Sequence, residues 1–205
     1  MDADTPQLYL ITPPVIDLAS FPDTLARVLD GQEIACLRLA LATRDEDAIL
    51  RTGDALREIA HARDIPLVIA DHALMVERLG LDGVHLTDAQ PRIRKLRETL
   101  GAEAIIGAFC GTLRHDGMSA GEAGADYISF GPVGPNSLGD GDCASREMFE
   151  WWSEIVELPV VAEGALNREL VASFAPVVDF FAIGEEIWGQ DDPLAALKDL
   201  TAALR

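Results

Sequence analysis

Positive charge is scarce in this sequence: 16 Lys and Arg stand against 35 Asp and Glu, a formal net charge of −19. A field of that sign repels polyanions and anionic membranes, so neither nucleic acid nor a membrane surface is an expected partner. It also opposes phosphorylated small ligands, so a phosphate site would need locally gathered backbone N–H groups or cationic side chains. No apolar run approaches membrane-spanning length, and the acidic start Met1-Asp-Ala-Asp-Thr-Pro6 lacks the basic and apolar regions of a signal peptide. A soluble, cytoplasmic protein is expected. Only Cys36, Cys110 and Cys143 carry thiols, an odd number without metal-type spacing, which points to free thiols and away from a disulfide or zinc site.

What is present is a regular alternation of strand-like and helix-like runs along a 205-residue chain that is 49% hydrophobic. Strands are expected at 7–12, 34–40, 66–70, 83–86, 104–107, 127–130, 159–162 and 177–182, each followed by a helical stretch. Pro66-Leu-Val-Ile-Ala70 is continuously apolar, as a strand covered on both faces should be. Thr43 with Glu46 has the pattern of a capping box, Ser145 suits a cap, and Asp192-Pro193 reads as a cap with proline in the first turn. Eight such units predict one domain over 1–205, a (β/α)8 TIM barrel. A doubly wound open sheet is the alternative, but no G-x-G-x-x-G or P-loop follows an early strand.

In a barrel the chemistry belongs at the carboxyl ends of the strands. Gly124-Ala-Asp-Tyr-Ile-Ser-Phe-Gly-Pro-Val-Gly-Pro135 reads as a buried strand delivering a Gly/Pro-rich loop to that end. Arg38, inside an apolar strand, is either the cation for an anionic ligand or half of an internal ion pair with Asp71 on the neighbouring strand. Asp71 and Asp88 follow adjacent strands and could hold Mg²⁺ with a bound phosphate, although Asp88 could equally cap a helix. His85 lies within a strand and reads as a barrel-lining histidine. Asp140 and Asp142 form an acidic turn, and Trp151 and Trp152 divide between core and surface. Gly164 could turn backbone N–H groups towards a phosphate, but Glu163, Glu185 and Glu186 flank that place and favour a less anionic ligand.

Several of these segments together resemble the thiamine-phosphate synthase family, which includes thiazole tautomerases. Leu8-Tyr-Leu-Ile-Thr12 is similar to its first strand, Leu37-Arg38 to its Q-L-R-x-K strand, and Leu67-Val-Ile-Ala-Asp-His72 to its strand ending N-D-R. Asp82-Gly-Val-His-Leu86 resembles D-G-V-H-L-G-Q-E-D, the sixth strand resembles G-A-D-Y-I-G-x-G-P-V-F-P-T-x-T-K, and Pro159-Val-Val-Ala162 with Gly164 resembles P-V-V-A-I-G-G-I. The resemblance implies a TIM barrel, dimeric, that joins hydroxymethylpyrimidine diphosphate to thiazole phosphate with Mg²⁺ and releases pyrophosphate. It places Arg38 on the diphosphate-binding arginine and Asp71 on a metal-binding aspartate, with Asp88 two residues from the second, which becomes Gln90.

Other motif positions differ. The glutamine becomes Cys36, the lysine Ala40, the asparagine Ala70, the arginine His72 and the fifth-strand serine Phe109. T-x-T-K becomes Asn136-Ser-Leu-Gly139, the paired glycines Gly164-Ala165, and the strand-eight serine Glu185. The expected site is therefore Arg38, Asp71 and His72 for catalysis; Arg38, His85, Asn136, Gly164, Ala165 and Glu185 for substrate; and Asp71 with Asp88 for metal. Synthase activity, weakened or lost, is one expectation. A silent or repurposed paralogue that binds a small heterocycle or a partner, or an isomerase on the same barrel, is the alternative.

Overall fold

A computed structural model describes residues 5–88, 92–135 and 141–204. Strands and helices alternate as β1 (Gln7–Ile11), α1 (Phe21–Gly31), β2 (Cys36–Leu39), α2 (Glu46–His61), β3 (Leu67–Ala70), α3 (Leu74–Leu79), β4 (Gly83–Leu86), α4 (Arg92–Leu100), β5 (Ile105–Phe109), α5 (Arg114–Glu122), β6 (Tyr127–Phe130), α6 (Arg146–Ile155), β7 (Val160–Glu163), α7 (Arg168–Phe174), β8 (Phe180–Ile183), α8 (Glu185–Trp188) and α9 (Pro193–Leu200). All neighbouring strands pair in parallel, and β1 pairs with β8, so the sheet closes into an eight-stranded barrel. The open sheet is thereby excluded. No helix among the described residues is long and apolar enough to cross a membrane.

Because successive side chains leave a strand on opposite faces, each strand serves two layers. Leu10, Leu37, Leu39, Ile69, Val84, Ile106, Ile128, Val160 and Phe181 face outward into the large core beneath the helices. Tyr9, Val68, Tyr127, Val161 and Ala182 form a separate cluster inside the barrel. Trp152 is 1% exposed, packs against Phe130 at 5.2 Å and donates its indole N–H to the Leu158 carbonyl, whereas Trp151 is only half-buried.

The end of the barrel away from the site is stitched by aspartates. Asp82, Asp126 and Asp179, just before β4, β6 and β8, accept the N–H groups of Leu67, Ile106 and Val160 at 2.7, 2.7 and 2.8 Å. Each carboxylate thus satisfies the opening of the preceding strand and ties two strands together. Helix caps follow the sequence at Ser145 and Asp192. They differ at α2, where Asp45 rather than Thr43 caps by accepting the Ala48 N–H, while Thr43 accepts the N–H of Asp45. The eighth strand starts later than expected because Ala175–Val177 winds into a single turn of 3₁₀ helix.

Candidate active site at the carboxyl ends of the strands

Alternation within the strands sends Arg38, His85, Ser129 and Glu163 into the barrel, since their sequence neighbours Leu37, Val84, Ile128 and Ala162 belong to the outer core. Arg38 is 5% exposed and its guanidinium binds the Glu163 carboxylate at 2.9 Å. The expected ion pair with Asp71 is not formed. Closure of the sheet brings β7 across the interior, so the counter-charge for β2 comes from a strand far away in sequence. Burial alone would lower the Arg38 pKa, but Glu163 beside it, helped by Tyr9 and Tyr127, keeps the guanidinium charged. Arg38 also lies over the Tyr9 ring, 5.5 Å from its centroid.

A second chain of contacts crosses the barrel at the same depth. The hydroxyls of Tyr9 and Tyr127 share a hydrogen bond of 2.7 Å, and Tyr127 Oη lies 2.9 Å from His85 Nδ1. Room for the Tyr127 phenol comes from Gly107 on β5, where an added Cβ would approach the ring to 2.0 Å. Burial first, and Arg38 second, push the His85 pKa well below its ordinary value, so the imidazole is neutral. Burial likewise raises the phenols of Tyr9 and Tyr127, and pushes the Cys36 thiol up to about 12. Arg38 Nε, His85 Nε2 and Ser129 Oγ are buried and find no hydrogen-bond partner among the described residues. Buried polar atoms are ordinarily paired, so three such atoms on three inward strands mark this part of the interior as a candidate binding place.

At the β3–β4 edge, Asp71 adopts a left-handed conformation with φ of 58° and its carboxylate accepts both the N–H and the hydroxyl of Thr87. One nitrogen of Arg92, Nη2, lies 2.9 Å from Asp88 and 3.6 Å from Asp71. Asp71 and Asp88, expected together, are thus brought together, with a guanidinium between them. His72 is half-buried beside Asp71. Among the described residues no cluster of three or more His, Cys, Asp or Glu side chains gathers in metal-binding fashion. Two hard oxygen donors against one cation nevertheless suit Mg²⁺, which is commonly held by one or two carboxylates plus substrate phosphate.

On the opposite rim, Gly164 and Ala165 turn the chain out of β7 with φ of 87° and 55°. An alanine in that region carries a steric cost, so the turn is held from outside. Val133 donates its N–H to the carbonyls of Glu163 and Gly164, clamping the loop after β6 on the turn. A Cβ on Gly164 would press on Pro132 at 3.0 Å, which explains the glycine. Glu186, on α8, accepts the Leu166 N–H at 3.1 Å with one oxygen and the Gly184 N–H at 2.8 Å with the other. Glu185 is exposed. The three glutamates read together from the sequence therefore separate into an ion-pair partner, an acceptor of backbone N–H groups and a solvated side chain. Asn136, Gln90 and Asp140 lie outside the described residues, and Asp142 is exposed.

Sequence reasoning passed over the partners: Tyr9, Tyr127, Ser129, Arg92 and the roles of Glu163 and Glu186. Strand alternation held a signal for Ser129, because Ile128 and Phe130 must share the opposite face. Nothing local marks Glu163 as the partner of Arg38.

These features define a (β/α)8 barrel whose interior carries the polar side chains Arg38, His85, Ser129 and Glu163. A family model described as thiamine monophosphate synthase matches residues 8–187. The thiamine-phosphate synthase of Rhodospirillum centenum is 37% identical over 202 residues, covering 97% of this chain and 98% of the relative. That of Hyphomonas neptunium is 36% identical, covering 96% and 92%. Thiamine phosphate pyrophosphorylase from Pyrococcus furiosus superposes with a TM-score of 0.83 at 23% identity, over 98% of this chain and 96% of that one, a likeness of fold. The chain belongs to the thiamine-phosphate synthase family.

Proposed function

We propose that the chain is a cytoplasmic transferase of thiamine biosynthesis, joining hydroxymethylpyrimidine diphosphate to a thiazole phosphate with release of pyrophosphate. What supports this reading is the trio of unpartnered buried atoms, Arg38 Nε, His85 Nε2 and Ser129 Oγ, inside a barrel of this family. A pyrimidine edge offers ring nitrogens that accept hydrogen bonds, and a hydroxyl, a guanidinium N–H and a neutral imidazole supply matching partners. Tyr127 fixes the His85 ring from its other nitrogen.

As the bond between the exocyclic methylene carbon on the pyrimidine and the diphosphate oxygen breaks, its electron pair departs with pyrophosphate and the thiazole nitrogen supplies the pair for the new bond to that carbon. Arg38, held charged by its surroundings, offsets negative charge on that leaving group. Asp71 and Asp88 would hold Mg²⁺, which when bound neutralises the departing pyrophosphate. His72 follows Asp71 at the same edge and is assigned to the catalytic group in this reading. Gly164, Ala165 and Glu185 form the acceptor side in this reading. A homodimer belongs to the same proposal, and light scattering showing a monomer would remove it.

The test is incubation with both phosphorylated precursors and Mg²⁺, followed by detection of thiamine phosphate and pyrophosphate. Product is expected, with Arg38→Ala lowering turnover by about tenfold to a hundredfold from lost charge-assisted contacts. No product at high protein concentration would retire the transferase reading in favour of a repurposed paralogue.

A further inference from the structure

The inner wall of the barrel offers a ligand mostly donors. Arg38 has an N–H at Nε, Ser129 a hydroxyl and His85 a ring nitrogen, all buried and without a partner among the described residues. The hydroxyls of Tyr9 and Tyr127 are taken up by each other and by His85. Burial keeps the Cys36 thiol protonated, and a thiol is a weak acceptor. One strong acceptor stands among these groups, the Glu163 carboxylate.

Glu163 can accept in two directions. Its Oε2 takes a guanidinium N–H of Arg38 at 2.9 Å, and its other oxygen has no hydrogen bond among the described residues. It is the last residue of β7, and its side chain is 16% exposed against 6% for Arg38, so a ligand reaches the carboxylate more readily than the guanidinium. Ser129 lies on the neighbouring strand, paired with Val161, two residues before Glu163 on the same inward face. An acceptor oxygen and two donors, Arg38 Nε and Ser129 Oγ, thus share one wall. That set is complementary to a heterocycle edge with an exocyclic amino group beside a ring nitrogen, where the amino group donates and the ring nitrogen accepts. Glu163 stands at the isoleucine of P-V-V-A-I-G-G-I, and Cys36 at the glutamine of Q-L-R-x-K. Polar capacity missing beside Arg38 on β2 therefore reappears beside it on β7.

We propose that Glu163 is a specificity-determining residue for the pyrimidine: its second oxygen accepts an N–H of an exocyclic amino group while Oε2 stays on Arg38, so that this chain selects an aminopyrimidine over the same ring without the amino group. The inference rests on the reading that a pyrimidine diphosphate binds inside the barrel, and it names the ring substituent that the site reads. A carboxylate oxygen left facing a ring C–H has lost its water without gaining a partner, and this penalises the wrong ring. Because Glu163 keeps some exposure, the penalty is that of one charged hydrogen bond, a factor of about ten to a hundred, and not the roughly ten-thousandfold of a fully closed polar site.

The full-length protein is titrated by calorimetry with the aminopyrimidine diphosphate and with its desamino analogue, in Mg²⁺ and without thiazole so that no transfer occurs, for wild type, Glu163→Gln and Glu163→Asp. Wild type is expected to bind the amino compound about tenfold to a hundredfold more tightly. In Glu163→Gln, Arg38 claims the amide oxygen and the amide nitrogen is turned towards the ligand, donor against donor, so the preference is expected to vanish. Glu163→Asp keeps a negative charge beside Arg38, which covers the case in which the glutamine variant fails to fold. It draws the carboxylate back by one methylene, and the preference is expected to shrink. Equal binding of both rings by wild type, or a preference retained in full by each variant that folds, overturns the inference and leaves Glu163 as the counter-charge of Arg38 alone. The transfer assay decides the wider reading separately. Selective binding with no thiamine phosphate formed supports the inference and retires the reaction, whereas no binding of either pyrimidine and no product sinks both.

Discussion

The two faces of the same eight strands are built on different physics. On β2, Leu37 and Leu39 point outward and are wholly buried, while Cys36 and Arg38 point inward from positions between and beside them. The outer face repeats branched aliphatic residues from strand to strand and binds the helices by area alone, which is non-directional and tolerant. Inside, Tyr9, Arg38, His85, Tyr127 and Glu163 depend on particular partners at set distances, Tyr127 on two of them. The outer layer holds the barrel closed, and the inner layer spends some of that stability on buried polar groups that need directional partners.

The sharpest way to break this contrast is to remove one member of an inner pair. Glu163→Ala leaves Arg38 buried, charged and uncompensated, with an expected loss of about 3–5 kcal/mol in urea unfolding. Replacing Arg38 and Glu163 together by methionine is expected to recover most of that loss, because no lone charge remains, while turnover stays at least as low as that of Arg38→Ala. A single substitution costing less than about 1 kcal/mol, the range of exposed ion pairs, would show that water reaches the pair and that the interior is not the directional layer described.

A matched comparison of the two faces gives smaller effects. Leu37→Ala is expected to cost about 2–5 kcal/mol through the cavity it leaves, yet to preserve the turnover of each folded molecule. Tyr127→Phe removes only the hydroxyl shared by Tyr9 and His85, with about 1–3 kcal/mol of stability lost, but it frees the His85 ring and lowers turnover sharply. Unfolding curves together with kcat for both variants check this, and equal losses of activity per folded molecule would erase the distinction.

The outer face was the legible one. Continuous apolar runs such as Leu67-Val-Ile-Ala70, and caps such as Asp192 before Pro193, carry their meaning within a few residues. Pairings inside a closed sheet carry none, since Arg38 and Glu163 stand 125 residues apart and meet only when β1 joins β8. Counting neighbouring strands led to Asp71 instead, whose left-handed backbone turns its carboxylate to Thr87. Similarly, Glu185 and Glu186 are identical letters in the sequence, and only the convergence of Leu166 and Gly184 separates the exposed one from the one that accepts two backbone N–H groups. The approach of Arg92 to Asp71 depends on the start of α4 reaching back to β3, again a non-local event, whereas its pairing with Asp88 spans only four residues.

Acid offers the mildest probe of the inner face, through His85. Its side chain is fully buried, and burial first, then the positive charge of Arg38, holds its pKa well below the ordinary 6.5. An unfolded chain takes up a proton on this imidazole near pH 6.5 and the folded barrel does not, so the unfolded state binds more protons as pH falls. The neutral His85 therefore contributes stability that is complete above that pH and is lost as pH drops from there towards the folded-state pKa. One proton sets the slope at no more than about 1.4 kcal/mol per pH unit. Urea unfolding of wild type and His85→Gln at pH 7.5, 6.5 and 5.5 isolates the contribution, because glutamine keeps hydrogen-bonding capacity at the Tyr127 hydroxyl without a titrating group. The wild-type curve should fall more steeply than the variant's below about pH 6.5, the reference value from which unfolded histidine charges. Parallel curves would mean that the folded barrel accepts the proton as readily as the unfolded chain does, against the burial of His85 and the positive charge of Arg38.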